Sequence, residues 1–314
     1  MGDLLHAFEV VVDHYTAGDP MQDGVRWTNL TRSEIAAGMA KEGLPVSVTI
    51  VDRLLDESGF RRRKPQKVKT MAEAQDRDAQ FKKIARLKAE YQRAHQPVLS
   101  MDTKSREILG DYARAGHVLS TAALRAWDHD FPFRRLGVVI PHGLFDLARN
   151  EGFMHLGTSH DTSVFAADAL YDWWIRHGRR HYPFATKLLL LCDGGGSNGH
   201  RRLLFKQEIQ DVAEASGLEI RVAHYPPYCS KYNPIDHRLF PHITRVCQGI
   251  FLKSAHMLRD LMRKATTRKG LRVFATVVDR FYPLGVEVAD EFIEDMKLRF
   301  DRLMPAWNYV LLPS

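Results

Sequence analysis

Leu188-Leu-Leu-Leu-Cys192 is a short, unbroken apolar run. It fits a strand buried on both faces, the state of a central strand in a parallel sheet. The run stops at Asp193, and the glycine-rich Gly194 to Gly199 turns the chain sharply there. Apolar patterning upstream predicts a strand over Pro97–Asp102, with Thr103 to Leu109 continuing it. Two further strands follow, Leu136 to Leu147, interrupted at Pro141, and Phe153 to Thr158. Thr162 or Ser163 caps a helix reaching about His177, with Phe165, Leu170, Trp173 and Trp174 turned inward. After the leucine strand come a helix from about Arg202 to Ser216, a fifth strand over Leu218 to His224, and a helix opened by Asn233-Pro-Ile-Asp236 that carries Leu239, Phe240 and Ile243. The last third is mixed. It predicts a helix near Ala255–Ala265, a basic turn at Thr267–Gly270, a short strand at Leu271–Val278 and a final helix before Trp307.

The first part of the chain has a different rhythm. A short helix runs from Leu4 to Tyr15, and a polar Gly/Asp/Pro stretch follows it. Thr31-Arg-Ser-Glu34 has the spacing of a capping box, in which hydroxyl and carboxylate each satisfy a free backbone N–H. That helix ends at Gly43-Leu-Pro45. Ser47 opens a second one with Val48, Val51, Leu54 and Leu55 as its apolar stripe. Helix, short turn, helix is the helix-turn-helix pattern. Arg61, Arg62, Arg63, Lys64, Lys67 and Lys69 follow at once, an arm suited to DNA phosphates or a minor groove. A charged helix from Ala72 to about Ala94 has Phe81, Ile84, Leu87 and Tyr91 on one face.

Composition sharpens this picture in two ways. Net charge is +7 and the pI about 9.3, which favours a polyanionic partner, nucleic acid before membrane. The three cysteines, Cys192, Cys229 and Cys247, lack the spacing of a disulfide framework or a zinc site. With no signal peptide or 18-residue apolar segment, the expected setting is cytoplasmic and nucleoid-associated, away from membranes. The expected regions are 1–70, a helix-turn-helix region with its basic arm; 71–95, a linker helix; 96–250, the main α/β domain; and 251–314, an extension packed on it.

Three strands, then helix, strand, helix, strand, helix is the order of the RNase H-like (retroviral integrase-like) fold. Three acids fall on it: Asp102 on the first strand, Asp193 at the end of the fourth, and Asp236 at the start of the last helix. An acid at the carboxyl end of a central strand lies where open α/β sheets hold ligands. Two-metal phosphoryl transfer requires such a cluster, with two divalent ions about 4 Å apart acting on the attacking and leaving oxygens. Carboxylates suit Mg²⁺, with Mn²⁺ as substitute. For Asp193 and Asp236 the simpler alternative is a helix cap. Asp161 reads more readily as a helix-start residue supporting the site than as a metal ligand. Ser197 and Asn198 are placed to orient Asp193 or touch a phosphate. Lys231, His237 and Arg238 flank Asp236 and suit DNA phosphates, with Arg238 alternatively pairing a core acid.

Several segments together resemble bacterial insertion-sequence transposases of the DDE superfamily, the ISAzo-type or Rhodopirellula-type group. They are Ser100-Met-Asp102-Thr-Lys104, Phe145 to Gly152, His160-Asp-Thr162, Asp193 to Gly199, Ser230-Lys-Tyr-Asn233, His237 to Phe240, Thr266-Thr-Arg268, Gly270 to Val273 and Trp307-Asn-Tyr309. The resemblance implies an RNase H-like catalytic core and two-metal, Mg²⁺-dependent DNA cleavage and strand transfer. Asp102, Asp193 and Asp236 would be both its catalytic and its metal-holding acids. It further implies recognition of terminal inverted repeats by the N-terminal region, target DNA as second partner, and a homodimer on DNA. A catalytically weak, transposase-derived DNA-binding protein is the alternative, and a nuclease that cuts without joining a third. The group usually carries glutamate where this chain has Asp236, and a further helix-turn-helix region ahead of the matching part, which the resemblance implies is lacking here.

Overall fold

The computed structural model describes residues 2–13, 16–18, 26–63, 76–129, 131–199, 201–227, 229–288, 298–302 and 304–313. The chain divides into two compact units, Met1–Lys69 and Thr70–Ser314.

The first unit holds α1 (Gly2–Asp13), the strands β1 (Thr16–Gly18) and β2 (Arg26–Thr28), α2 (Arg32–Lys41) and α3 (Val48–Glu57). Its β1–β2 antiparallel pair was not foreseen, because three-residue strands carry almost no periodicity. The capping box forms: the Thr31 hydroxyl accepts from the Glu34 N–H, and the Glu34 carboxylate accepts from the Thr31 N–H. Ser47 caps α3 as expected. Phe8, Val12, Ile35, Met39, Val51 and Leu54 form the core. Val48, expected to face inward, is 42% exposed, and Ile50 39%. The small core closes only over the middle of α3. Arg61, Arg62 and Arg63 are exposed, with Arg61 4.0 Å from Asp56. Lys64, Lys67 and Lys69 lie outside the described residues, as do most of the polar stretch after α1 and the start of the charged helix at Ala72.

The second unit is built on one nine-stranded sheet. In chain order its elements are α4 (Arg77–Arg93), β3 (Val98–Thr103), β4 (Glu107–Leu109), β5 (Gly137–Asp146), β6 (Glu151–Gly157), α5 (Ser163–Trp173), α6 (Arg179–His181), β7 (Lys187–Cys192), α7 (Leu203–Ser216), β8 (Glu219–His224), α8 (Pro234–Arg238), α9 (Phe240–Val246), α10 (Ala255–Met262), β9 (Arg272–Val278), β10 (Leu298–Phe300) and β11 (Asn308–Leu311). Across the sheet the order is β10-β11-β8-β7-β3-β5-β6-β9, with β4 beside β5. β3, β7 and β8 run parallel; β5 is antiparallel to β3 and β6 to β5. The first of these five strands is therefore central, flanked by the second and third on one side and the fourth and fifth on the other. That is the RNase H-like arrangement expected from the element order.

The leucine strand sorts its side chains by strict alternation. Leu188, Leu190 and Cys192 pack on one face with residues of α5 and α7, including Ala166, Leu170, Phe205 and Ile209. Leu189 and Leu191 pack on the other with α4, α8, α9 and α10, through Ile84, Leu87, Ile235, Ile243 and Leu258. Both faces are covered, so every position from Leu188 to Cys192 is buried.

Several segments differ in detail from their expected form. The helix read as a linker, α4, is part of this unit: Ile84, Leu87 and Tyr91 are buried in its core. The region 251–314 adds strands to the sheet on both edges. Its β9 lengthens the sheet beside β6, and β11 and β10 lengthen the opposite edge beside β8. The final helix before Trp307 falls largely on residues outside the described set, and Leu298–Phe300 is a strand. Strand β5 is not broken at Pro141. The Pro141 carbonyl accepts from the Lys104 N–H, so its nitrogen faces the same side, into the gap between β3 and β4 where no ladder donor is needed. The β3 strand itself stops at Thr103, and Lys104–Arg106 separate it from β4.

Candidate active site

The carboxyl ends of the parallel strands β3 and β7 lie side by side, with Met101 opposite Cys192. Asp102 is thus the next-to-last residue of β3, and Asp193 is the first residue beyond β7. Both line a cleft of about 360 Å³, together with Asp161, Asp236, Thr103, Arg106, Ser197 and Asn198 among others. Carboxylates from four separated segments are brought together.

Each is held by local structure. The Asp102 carboxylate accepts from the Thr103 N–H at 2.7 Å. Asp193 accepts from the Gly195 N–H at 3.2 Å. Its carbonyl takes the Nδ1–H of fully buried His224 at 2.8 Å, and the other ring nitrogen meets the Tyr309 hydroxyl at 3.1 Å. Since a carbonyl only accepts, this fixes the His224 tautomer.

Asp236 reaches the cleft because α8 is tethered to β3. Asn233 and Ser100 are both fully buried. The Ser100 hydroxyl donates to the Asn233 side-chain oxygen, the Asn233 amide donates to the Met101 carbonyl at 3.1 Å, and the Ile235 N–H donates to Ser100 Oγ at 3.0 Å. Glycines allow the close approach. A Cβ on Gly143 of β5 would stand 2.8 Å from Phe240 and 2.9 Å from Ile235, and one on Gly152 of β6 would collide with Leu239. The helix expected from Asn233 onward is two, α8 and α9, broken at Leu239 ahead of Pro241.

The acids repel one another. Burial, then the charges of Asp193 and Asp236, push the Asp102 carboxyl up to about 8. Burial first, and then Asp193, push Asp236 up to about 6. Burial and the Asp161 charge raise Asp193, against the pull of the Gly195 N–H. Among the described residues none of the four carboxylates has a salt-bridge partner. No three His, Cys, Asp or Glu side chains stand close enough to hold one ion as placed, again among the described residues. A concentration of hard oxygen donors with no salt-bridging cation among the described residues fits divalent metal, which would relieve their mutual repulsion.

Other expected residues fare differently. Asp161 precedes the cap Thr162 and lines the cleft. Ser197 and Asn198 are buried at the cleft wall, and among the described residues neither bonds Asp193. They bond each other, and the Ser197 carbonyl accepts from Ser163. Among the described residues Arg238 pairs no acid: it lies 4.6 Å over the Phe145 ring and bonds Asn150. Lys231 and His237 are exposed, Lys231 beside Tyr232, and neither lines the cleft. Sequence reasoning gave no role to Arg106, an exposed cation at the cleft, or to Asn233, Ser100, Thr103, His142 and His224. For Thr103 and Arg106 a signal existed, since both follow the acid at the carboxyl end of the first strand. Asn233 and Ser100 meet across more than a hundred residues, and no local pattern shows that they pair.

Comparison with known proteins completes the site's context. No curated protein sequence matches this chain. Among solved structures it is similar to the Mos1 transposase paired-end complex with left transposon end, at 14% identity over 82% of this chain and 68% of that one, with a TM-score of 0.46. It is similar also to the mariner Mos1 paired-end complex with Mg, at 14% identity over 81% and 76% with a TM-score of 0.44, and to the complex with Mn, at 14% identity over 77% and 72% with a TM-score of 0.44. The model of the family described as Rhodopirellula transposase DDE domain matches residues 7–313. Matched over nearly its whole length, the chain belongs to that family of DDE transposases.

Proposed function

We propose that this chain cuts DNA at the ends of an insertion sequence and joins those ends to target DNA, with Asp102, Asp193 and Asp236 holding two Mg²⁺ ions. The observation that carries this reading is the convergence of these acids on one cleft with no salt-bridge partner among the described residues. Bound there, the ions would activate the attacking oxygen and stabilise the leaving one.

The chain's own residues supply the rest. Asp102 and Asp193 present their carboxylates from a rigid pair of adjacent strands, and the Asn233–Ser100 tether sets Asp236 against them. Arg106, exposed at the cleft, is placed to hold a DNA phosphate beside the acids. Capped α2 and α3 form the helix-turn-helix that reads the terminal inverted repeats, and Arg61, Arg62 and Arg63 begin the arm that takes phosphates. Lys231 and His237 offer outer phosphate contacts. The protein acts as a homodimer, one copy for each element end.

The test is incubation of the purified chain and Mg²⁺ with a plasmid bearing the element ends. Nicking that EDTA abolishes, followed by joined products, supports the proposal. DNA binding without nicking would establish the catalytically weak derivative, and cutting without joining the nuclease.

A further inference from the structure

A buried histidine behind the cleft has one polar engagement, and it leads to an acid. His142 of β5 is fully buried, and its Nδ1 lies 2.9 Å from the Thr103 hydroxyl. The same hydroxyl lies 3.1 Å from Asp161 Oδ1. A hydroxyl has one proton and an ionised carboxylate only accepts, so Thr103 donates to Asp161 and His142 Nδ1–H donates to Thr103. Burial, with the nearby His155, lowers the His142 pKa to about 3, so the ring is neutral and fit for this single-donor role. Its Nε2 makes no hydrogen bond among the described residues.

Backbone structure sets these positions independently of that chain of bonds. Thr103 and His142 are already opposite one another in the β3–β5 ladder, which the backbone holds. α5 is already capped by Thr162, which bonds the Phe165 N–H. What the side chains add is a direction for Asp161. Its carboxylate enters the cleft with one oxygen engaged by Thr103, close enough to Asp102 and Asp193 for its charge to act on both.

We propose that Asp161 is a fourth metal-holding carboxylate of the cleft, and that His142 is its positioning residue, acting through the Thr103 hydroxyl. The assignment rests on the two-metal reading above. The bond from Thr103 does for Asp161 what outer hydrogen bonds do for metal-binding carboxylates generally: it orients the group and leaves its second oxygen for the ion.

The experiment titrates the purified full chain with Mn²⁺ alone, reading free ion by electron paramagnetic resonance, and melts each variant without metal. Asp161→Asn is expected to weaken Mn²⁺ binding about tenfold or more with an unchanged melt. Thr103→Val, which keeps the shape and loses the hydroxyl, is expected to weaken it about 10-fold, and Thr103→Ser to restore it. His142→Phe is expected to weaken binding also, and Thr103→Val with His142→Phe to be no worse than Thr103→Val alone. Wild-type affinity in Asp161→Asn overturns the fourth ligand. A lowered melt in Thr103→Val with unaltered affinity overturns the relay. Asp193→Asn is the control: if it binds Mn²⁺ like wild type, the two-metal reading itself falls, and this assignment with it.

Discussion

Asn233→Ala should separate the geometry of the cleft from its charges. Asn233 carries no charge and does not line the cleft, yet it joins the helix bearing Asp236 to the strand bearing Asp102. Alanine removes the Ser100-to-Asn233 bond and the Asn233-to-Met101 bond, both fully buried. A buried hydrogen bond contributes about 1 kcal/mol net, and a buried group left without a partner costs about 1–3 kcal/mol. Ser100 still accepts from Ile235 but loses its acceptor, and the Met101 carbonyl loses a donor. The expected loss is about 2–4 kcal/mol, or a melt lower by about 4–16 °C at about 2–4 °C per kcal/mol for a unit of this size. Function should suffer more than stability. A displacement of about 1 Å in a reacting group costs roughly 10²-fold in rate. The assays are thermal melting and Mg²⁺-dependent nicking at a temperature where the variant is fully folded. A variant that melts like wild type, or one that is destabilised but nicks within twofold of wild type, would refute the tether.

Asp193→Asn should abolish cleavage while leaving DNA binding nearly intact in a gel-shift assay, since Asp193 sits at a strand end in the cleft; full cleavage in Mg²⁺ would remove it from the acids. Asp236→Ala should be inactive in both Mg²⁺ and Mn²⁺. Aspartate reaches roughly 1.5 Å less far than glutamate, one carbon–carbon bond, but the glycine-seated α8 brings the backbone nearer, so Asp236→Glu should not exceed wild-type activity in Mg²⁺; a clear gain would show the site underreaches. Neutralising Arg61, Arg62 and Arg63 together should weaken DNA binding on all sequences and reduce the log–log salt slope by about 0.9 for each phosphate that is no longer neutralised; an unchanged slope would make them a solvated stretch.

Much of this protein was legible in its sequence because the signals are local. The capping box at Thr31 and Glu34 needs only four residues and formed as read. The leucine run declared a strand buried on both faces, and its end at Asp193 declared a site at a strand terminus. The order of strands and helices, with short connections, restricts the sheet to few topologies, so the RNase H-like order followed from it. What the sequence left open depends on which distant parts meet. Whether a helix with one apolar face is a linker or a layer rests on the presence of a sheet to cover, and α4 found one. Residues after Phe251 look like an extension in one dimension, but exposed sheet edges beside β6 and β8 were the place where their backbone groups could be satisfied. The bond that Asp161 makes turned on Thr103, which lies on a distant strand. A single aspartate before a helix looks like a cap until the packed fold aims it. Local patterning determines what each segment is, because its energetics are settled within a few residues; only tertiary packing decides which side chains share a cleft, because that depends on partners that stand tens to hundreds of residues away.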